Sequence, residues 1–126
     1  MSAAASARAH VLVVDDEPLV ARAVKRVLHA QYDVTLASSA DEALERLRSG
    51  ERFDVVFCDL MMPGKSGMDL HRAVLAEAPA VADRFVFLTG GAFTPEADEY
   101  LRRSGAPHVT KPFDSAALRD LVAGMI

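Results

Sequence analysis

The chain has one cysteine, Cys58, among 126 residues, so an internal disulfide and a multi-cysteine zinc site are both excluded. A reduced, cytoplasmic setting is expected. It also lacks a basic excess: the formal net charge is -4, and Arg22, Lys25, Arg26, Arg46, Arg48, Arg102 and Arg103 are scattered rather than massed. Solvated helix faces explain them, and no direct nucleic-acid partner is expected. No stretch approaches the ~20 apolar residues that span a bilayer, so no membrane partner is expected either. The four histidines, His10, His29, His71 and His108, fall on different segments and make no metal-ligand spacing. The turn after the first apolar run is acidic and holds no glycine-rich phosphate cradle, which weakens a nucleotide-binding reading. What remains, 51% hydrophobic and 25% charged residues, is the composition of one soluble domain large enough to bury a single core.

Residues 1–9 are small and polar and are expected to be a flexible leading segment, with the domain occupying residues 10–126. Val11 to Val14 reads as a strand buried on both faces, and Asp15-Asp16-Glu17-Pro18 closes it. Val20, Val24, Val27 and Leu28 give an amphipathic helix over 19–30, with Pro18 in its first turn. A strand over 33–37 follows. Next comes a helix over 39–49, marked by the Ser39/Glu42 capping pair and the Gly50 stop. Residues 54–58 form the third strand. A helix over 67–78, with Leu70, Val74 and Leu75 on one side, ends before Pro79. Residues 84–89 form the fourth strand, Thr94 and Pro95 start a helix that ends at Gly105, 107–110 is a short strand, and 115–125 is the last helix.

Five alternating strands and helices imply a parallel sheet covered on both faces, with ligands bound at the carboxyl ends of the strands. Asp15 and Asp16, Asp59, Thr89 and Lys111 all fall on that edge. Carboxylates gathered there repel by roughly 4 kcal/mol per close pair at a surface-like dielectric. A hard divalent cation with oxygen ligands offsets that repulsion, and Mg²⁺ suits one or two carboxylates with waters and phosphate oxygens. An aspartate beside a cation, a hydroxyl and a lysine suits phosphoryl transfer, with the carboxylate as nucleophile. The stretch VFCDLMMPGKSG, Val56 to Gly67, ends an apolar run in Asp59 and follows it with two exposed-looking methionines and a Pro-Gly turn. Cys58 should point to the opposite face of the strand from its neighbours and belong to the core.

Val13-Val14-Asp15-Asp16-Glu17, the segment from Asp59 to Gly67, Phe87-Leu88-Thr89-Gly90 and Lys111-Pro112-Phe113 together resemble the response-regulator receiver domain, over nearly the whole chain. The double glycine and the ending His-Val-Thr-Lys-Pro-Phe-Asp are similar to receivers of hybrid histidine kinases. The resemblance implies a flavodoxin-like (βα)5 doubly wound sheet of order 2-1-3-4-5. It implies a two-component signalling switch, not an enzyme with an outside substrate, in which Asp59 accepts a phosphoryl group from a phosphohistidine. Asp16, Asp59 and the Met61 backbone carbonyl would ligate Mg²⁺, with Asp15 acting through a water. Lys111 would pair with the phosphoryl oxygens, and Thr89 would move to hydrogen-bond one. The Lys111-Pro112 bond is often cis in the family.

The implied partners are a histidine kinase or histidine phosphotransfer protein, docking on Leu19, Val20, Arg22 and Ala23 of the first helix. The face around His108 is a second candidate surface, and the chain is expected to be a monomer or weak dimer. Two departures stand out. His108 occupies the position, three before Lys111, where receivers commonly carry an inward-turning Tyr or Phe; it reads as a surface histidine or as a switch residue that senses pH. Gly90-Gly91 adds backbone freedom beside the phosphoryl site. Met61, apolar two residues after Asp59, leads to an expected aspartyl phosphate of moderate to long lifetime. The alternatives are a haloacid-dehalogenase-like phosphohydrolase, which would place an aspartate at position 61, and an unphosphorylated receiver-like docking module.

Overall fold

The computed structural model describes residues 8–90 and 94–126; the leading segment up to Ala7 and Gly91 of the double glycine lie outside the described residues. Five strands, β1 (His10–Val14), β2 (Asp33–Ala37), β3 (Val55–Asp59), β4 (Phe85–Thr89) and β5 (His108–Thr110), form one parallel sheet in the order β2-β1-β3-β4-β5. This is the doubly wound order implied by the resemblance, and the order reverses between β1 and β3. Six helices are present among the described residues: α1 (Pro18–Leu28), α2 (Ala40–Arg48), α3 (Gly67–Glu77), α4 (Pro79–Ala82), α5 (Pro95–Ser104) and α6 (Ser115–Met125). None is long and apolar enough to cross a membrane.

The strands are apolar without alternation because both faces are covered. On one face Val11, Val13, Val55, Phe57, Val86 and Leu88 pack with Ala21, Val24 and Leu28 of α1 and Leu118 and Val122 of α6. On the other, Leu12, Val14, Val56, Cys58, Phe85 and Phe87 meet side chains from α2, α3, α4 and α5. Cys58 is thus a core residue, and burial raises its thiol pKa far above normal, with Asp59 and Asp15 adding to the effect.

Several local expectations are refined. Pro79 does not only end a helix: the Ala-Val-Ala that follows it coils into the short α4, whose Ala82 is buried. Leu70 and Val74 are buried as the helical period requires, but Leu75 is half exposed, beyond the edge of the buried stripe. Ser39 caps α2 by accepting from the Glu42 N–H at 3.1 Å. The Glu42 carboxylate reaches one residue further back than a capping box requires, accepting from the Ser38 N–H and hydroxyl at 2.8 and 3.0 Å. The complete capping box belongs instead to Ser66 and Asp69, at the start of α3. Arg8 and Ala9, assigned to the leading segment, are tied to the fold: Arg8 donates to the His29 and Tyr32 carbonyls, and Ala9 accepts from the Asp33 N–H.

Candidate functional site

Three strand ends deliver the polar groups. Asp15 follows β1 directly, and its N–H still bonds the Ala37 carbonyl at 3.1 Å, so it leaves the sheet one residue late and its side chain stays inside. Its Oδ1 accepts from the Glu17 N–H at 2.9 Å, which fixes the carboxylate over the start of α1. Asp59 is the last residue of β3, held between β1 and β4 and only 6% exposed. Its Oδ1 accepts a long hydrogen bond, 3.4 Å, from the Met61 N–H. Lys111 follows β5, and its N–H bonds the Thr89 carbonyl at 2.7 Å, which aims the side chain back across the strand ends. The Lys111-Pro112 peptide is cis.

The chain must approach itself closely here. A Cβ on Gly67 would stand 2.2 Å from the Asp59 carbonyl oxygen and 3.0 Å from the Cys58 sulfur. Only a residue without a side chain lets the start of α3 lie directly against the end of β3. The Gly67 N–H bonds the Leu60 carbonyl at 3.0 Å, closing the Pro-Gly loop. Of the two loop methionines, Met61 is half exposed at the pocket mouth and Met62 is buried.

One ammonium serves three carboxylates: Lys111 Nζ lies 3.1 Å from Asp15 Oδ2, 3.6 Å from Asp59 Oδ1 and 3.7 Å from Glu17 Oε1. That compensation is incomplete. Burial first, then the Asp15 charge, pushes the Asp59 carboxyl up to about 7, while Lys111 and the Met61 N–H pull it down and Asp16 pushes it further up. Burial works against the Lys111 charge, but Asp59, Asp15 and Glu17 outweigh it and hold the ammonium above its ordinary pKa. Asp15 Oδ2 is buried and, although it faces the ammonium, accepts no hydrogen bond of normal geometry. Oxygens of Asp15, Glu17 and Asp59 all lie within 4.8 Å of one another. Oxygen donors, excess negative charge and an under-satisfied buried oxygen fit a hard divalent cation.

Asp16 is exposed and does not belong to that group of three, and its charge repels that of Asp59. Glu17, a residue the motif carries without a role read from the sequence, is exposed but brings its carboxylate to the rim of that group. Thr89 ends β4 fully buried, with its hydroxyl 3.5 Å from that of Thr110 on β5, a contact unforeseen from the sequence. His108 begins β5 on the exposed side, in register with Phe87. The ring packed against Phe87 from the next helix is Tyr100 of α5, with centroids 6.2 Å apart. Leu19, Val20 and Ala23 line a largely apolar groove with Val27, Pro112 and Phe113, and Leu19 is 80% exposed. Arg22 lies outside it, in a separate recess with Asp15, Leu36 and Glu42.

A parallel sheet of this order with an acid-and-lysine crevice at its carboxyl edge defines a flavodoxin-like α/β domain with a site at the switch point. The model of the response regulator receiver domain matches residues 11–123, and the chain belongs to that family. It is 35% identical over 115 residues to the probable transcriptional regulatory protein TcrX of Mycobacterium tuberculosis, covering 82% of this chain and 43% of that protein. It is 31% identical to the transcriptional regulatory protein DltR of Streptococcus agalactiae, covering 86% of this chain and 47% of that protein. The chain therefore spans less than half the length of these curated relatives. Among solved structures, Vibrio cholerae CheY4 superposes with a TM-score of 0.82 at 29% identity, covering 95% of this chain and all of that one. The response regulator TrrA of Thermotoga maritima, solved with Mg²⁺ and BeF, superposes at 0.79 with 27% identity, covering 94% and 99%.

Proposed function

We propose that this receiver works as a phosphorylation-controlled switch with Asp59 as the phosphoacceptor. An Asp59 carboxylate oxygen attacks the phosphorus of a ring-protonated phosphohistidine, the P–N bond breaks, and the imidazole leaves neutral, keeping its ring proton. The aspartyl phosphate is the activated state. The observation that carries this reading is the position of Lys111, 3.6 Å from Asp59 and 3.1 Å from Asp15, at a carboxylate whose charge the fold leaves under-compensated. There the ammonium pairs with charge developing on the phosphoryl oxygens. Asp59, Asp15, Asp16 and the Met61 carbonyl are the groups that would hold Mg²⁺. When bound, the ion neutralises charge on the transferring phosphoryl group.

Thr89, buried beside Lys111 in the sheet edge, supplies the hydroxyl that responds to the phosphoryl group, and His108 lies on the face that would report the change. The groove of Leu19, Val20 and Ala23 beside Pro112 and Phe113 offers an apolar seat next to the acceptor for a helix of a histidine kinase or phosphotransfer protein, with Arg22 at its flank. The apolar Met61 at the mouth offers no group to orient an attacking water, which favours a phosphoryl adduct of moderate to long lifetime. The expectation of no nucleic-acid partner concerns this domain's own surface only: a relative from Mycolicibacterium smegmatis, 33% identical, is named the DNA-binding response regulator MtrA, and this chain covers 45% of it.

The test is incubation with Mg²⁺ and a small acyl phosphate, followed by intact mass. The wild type is expected to gain one phosphoryl group and Asp59→Asn none. An unmodified wild type, or an equal adduct on Asp59→Asn, overturns the reading.

A further inference from the structure

Glu17 occupies the N-cap of α1, yet its side chain makes no capping hydrogen bond. Ser, Thr, Asp and Asn are the residues suited to that position, because their short side chains fold back onto the first helical N–H groups. The carboxylate leaves the helix end and turns the other way, to 3.7 Å from the Lys111 ammonium and into the group of oxygens formed by Asp15 and Asp59. At the same time its backbone N–H pins Asp15 Oδ1 at 2.9 Å. That leaves Asp15 Oδ2, fully buried and without a normal hydrogen bond, facing the same space. Asp15 and Asp59 close the inner side of the pocket, and Glu17, 64% exposed, closes its solvent side.

We infer that Glu17 is the outer carboxylate of the divalent-cation site, an inference that rests on the metal-dependent switch proposed above. In the pocket it shares Lys111 with Asp15 and Asp59. Toward a bound cation it adds one more close negative charge, on the solvent side of the pocket, to those of Asp15, Asp16 and Asp59. Its consequence is a tighter cation site than the three aspartates would make alone.

The experiment uses Mn²⁺ as the probe, with its dissociation constant measured by electron paramagnetic resonance on the unphosphorylated protein. Three variants, Glu17→Gln, Asp59→Asn and Glu42→Gln, are compared with wild type, each checked for an unchanged far-ultraviolet dichroism spectrum. Glu17→Gln is expected to weaken Mn²⁺ binding roughly fivefold, as the loss of one nearby charge in a partly screened site predicts. Glu42→Gln removes a charge of the same sign near the same strand edge but outside the oxygen cluster, and is expected to change binding less than twofold. If Glu17→Gln binds as wild type does while Asp59→Asn is weakened, the role of Glu17 is refuted and the switch reading stands. An equal loss in Glu42→Gln also refutes it, since remote charge would then explain the effect. If wild type binds no Mn²⁺, or Asp59→Asn binds it undiminished, the cation site fails, and the role of Glu17 with it.

Discussion

Two buried polar sites lie on this sheet, and they are built on opposite terms. On α3, His71 is 5% exposed, packed edge-on against Phe85, Phe87 and Tyr100 and hydrogen-bonded through Nδ1 to the Tyr100 hydroxyl. Burial lowers its pKa, so the imidazole is neutral and its polarity is met by a neutral partner. At the carboxyl edge, three carboxylates share one lysine, and a buried oxygen lacks a normal hydrogen bond. A satisfied polar pair inside an aromatic cluster fixes structure. An under-satisfied cluster of charge stores a demand that a cation or a phosphoryl group can meet, and that is what a site for ligands requires. The two sites should therefore answer mutation with opposite signs.

The largest effect is expected at the satisfied pair. His71→Ala removes a ring that touches three aromatic neighbours and takes away the hydrogen-bond partner of the half-buried Tyr100 hydroxyl. Truncation of a large buried side chain and an orphaned polar group together cost about 4 kcal/mol. Urea unfolding should show that loss, while the phosphoryl adduct on the remaining folded protein still forms. A loss under about 1 kcal/mol would mean that the pair does not hold α5 against the sheet.

Gly67→Ala sharpens the comparison, because it perturbs the acidic site through the backbone and leaves its charges alone. Its Cβ would overlap the Asp59 carbonyl, so β3 and the start of α3 must separate. The expected cost is about 3 kcal/mol, after the ~1 kcal/mol that alanine gains over glycine within a helix. Asp59 should shift with its own backbone, so phosphorylation by the small acyl phosphate should slow as well. Unchanged stability in urea and an unchanged phosphorylation rate would show that the close approach is not needed.

Much of this was legible in the chain itself, for physical reasons. Four-residue apolar runs in an alternating βα pattern permit only a sheet buried on both faces, and each strand's last residue then has to lie on the ligand edge. Asp59, Thr89 and Lys111 could be placed from position alone. The side chains of Asp15-Asp16-Glu17 could not be assigned in the same way, because they leave the strand and enter a turn. There the alternation of faces stops, and the Asp15 bond to the Glu17 N–H decides which acid faces inward. The same limit hid α4: proline reads as a stop, but it also suits a first helical turn, and only packing of Ala82 selects the second use. His71 looked like an ordinary histidine on a helix, since its partner Tyr100 is 29 residues away.

The smallest effect has the opposite sign. An ionised Asp59 is disfavoured in the fold, where its pKa is about 7 against 3.8 as a free side chain. Between those values the folded protein holds a proton that the unfolded chain has released, so this group's penalty grows as pH rises through the window and is absent below it. A shift of that size corresponds to roughly 4 kcal/mol when fully expressed, and water at the pocket mouth screens part of it. Asp59→Asn, with chelator present, should therefore be more stable than wild type by about 2 kcal/mol at pH 8. The advantage should shrink steadily and vanish near pH 4. Added Mg²⁺ should narrow the gap at pH 8 by stabilising wild type alone. If the variant is instead less stable at pH 8, or its advantage is independent of pH, the acidic cluster is as well satisfied as the His71 pair and the contrast between the two sites disappears.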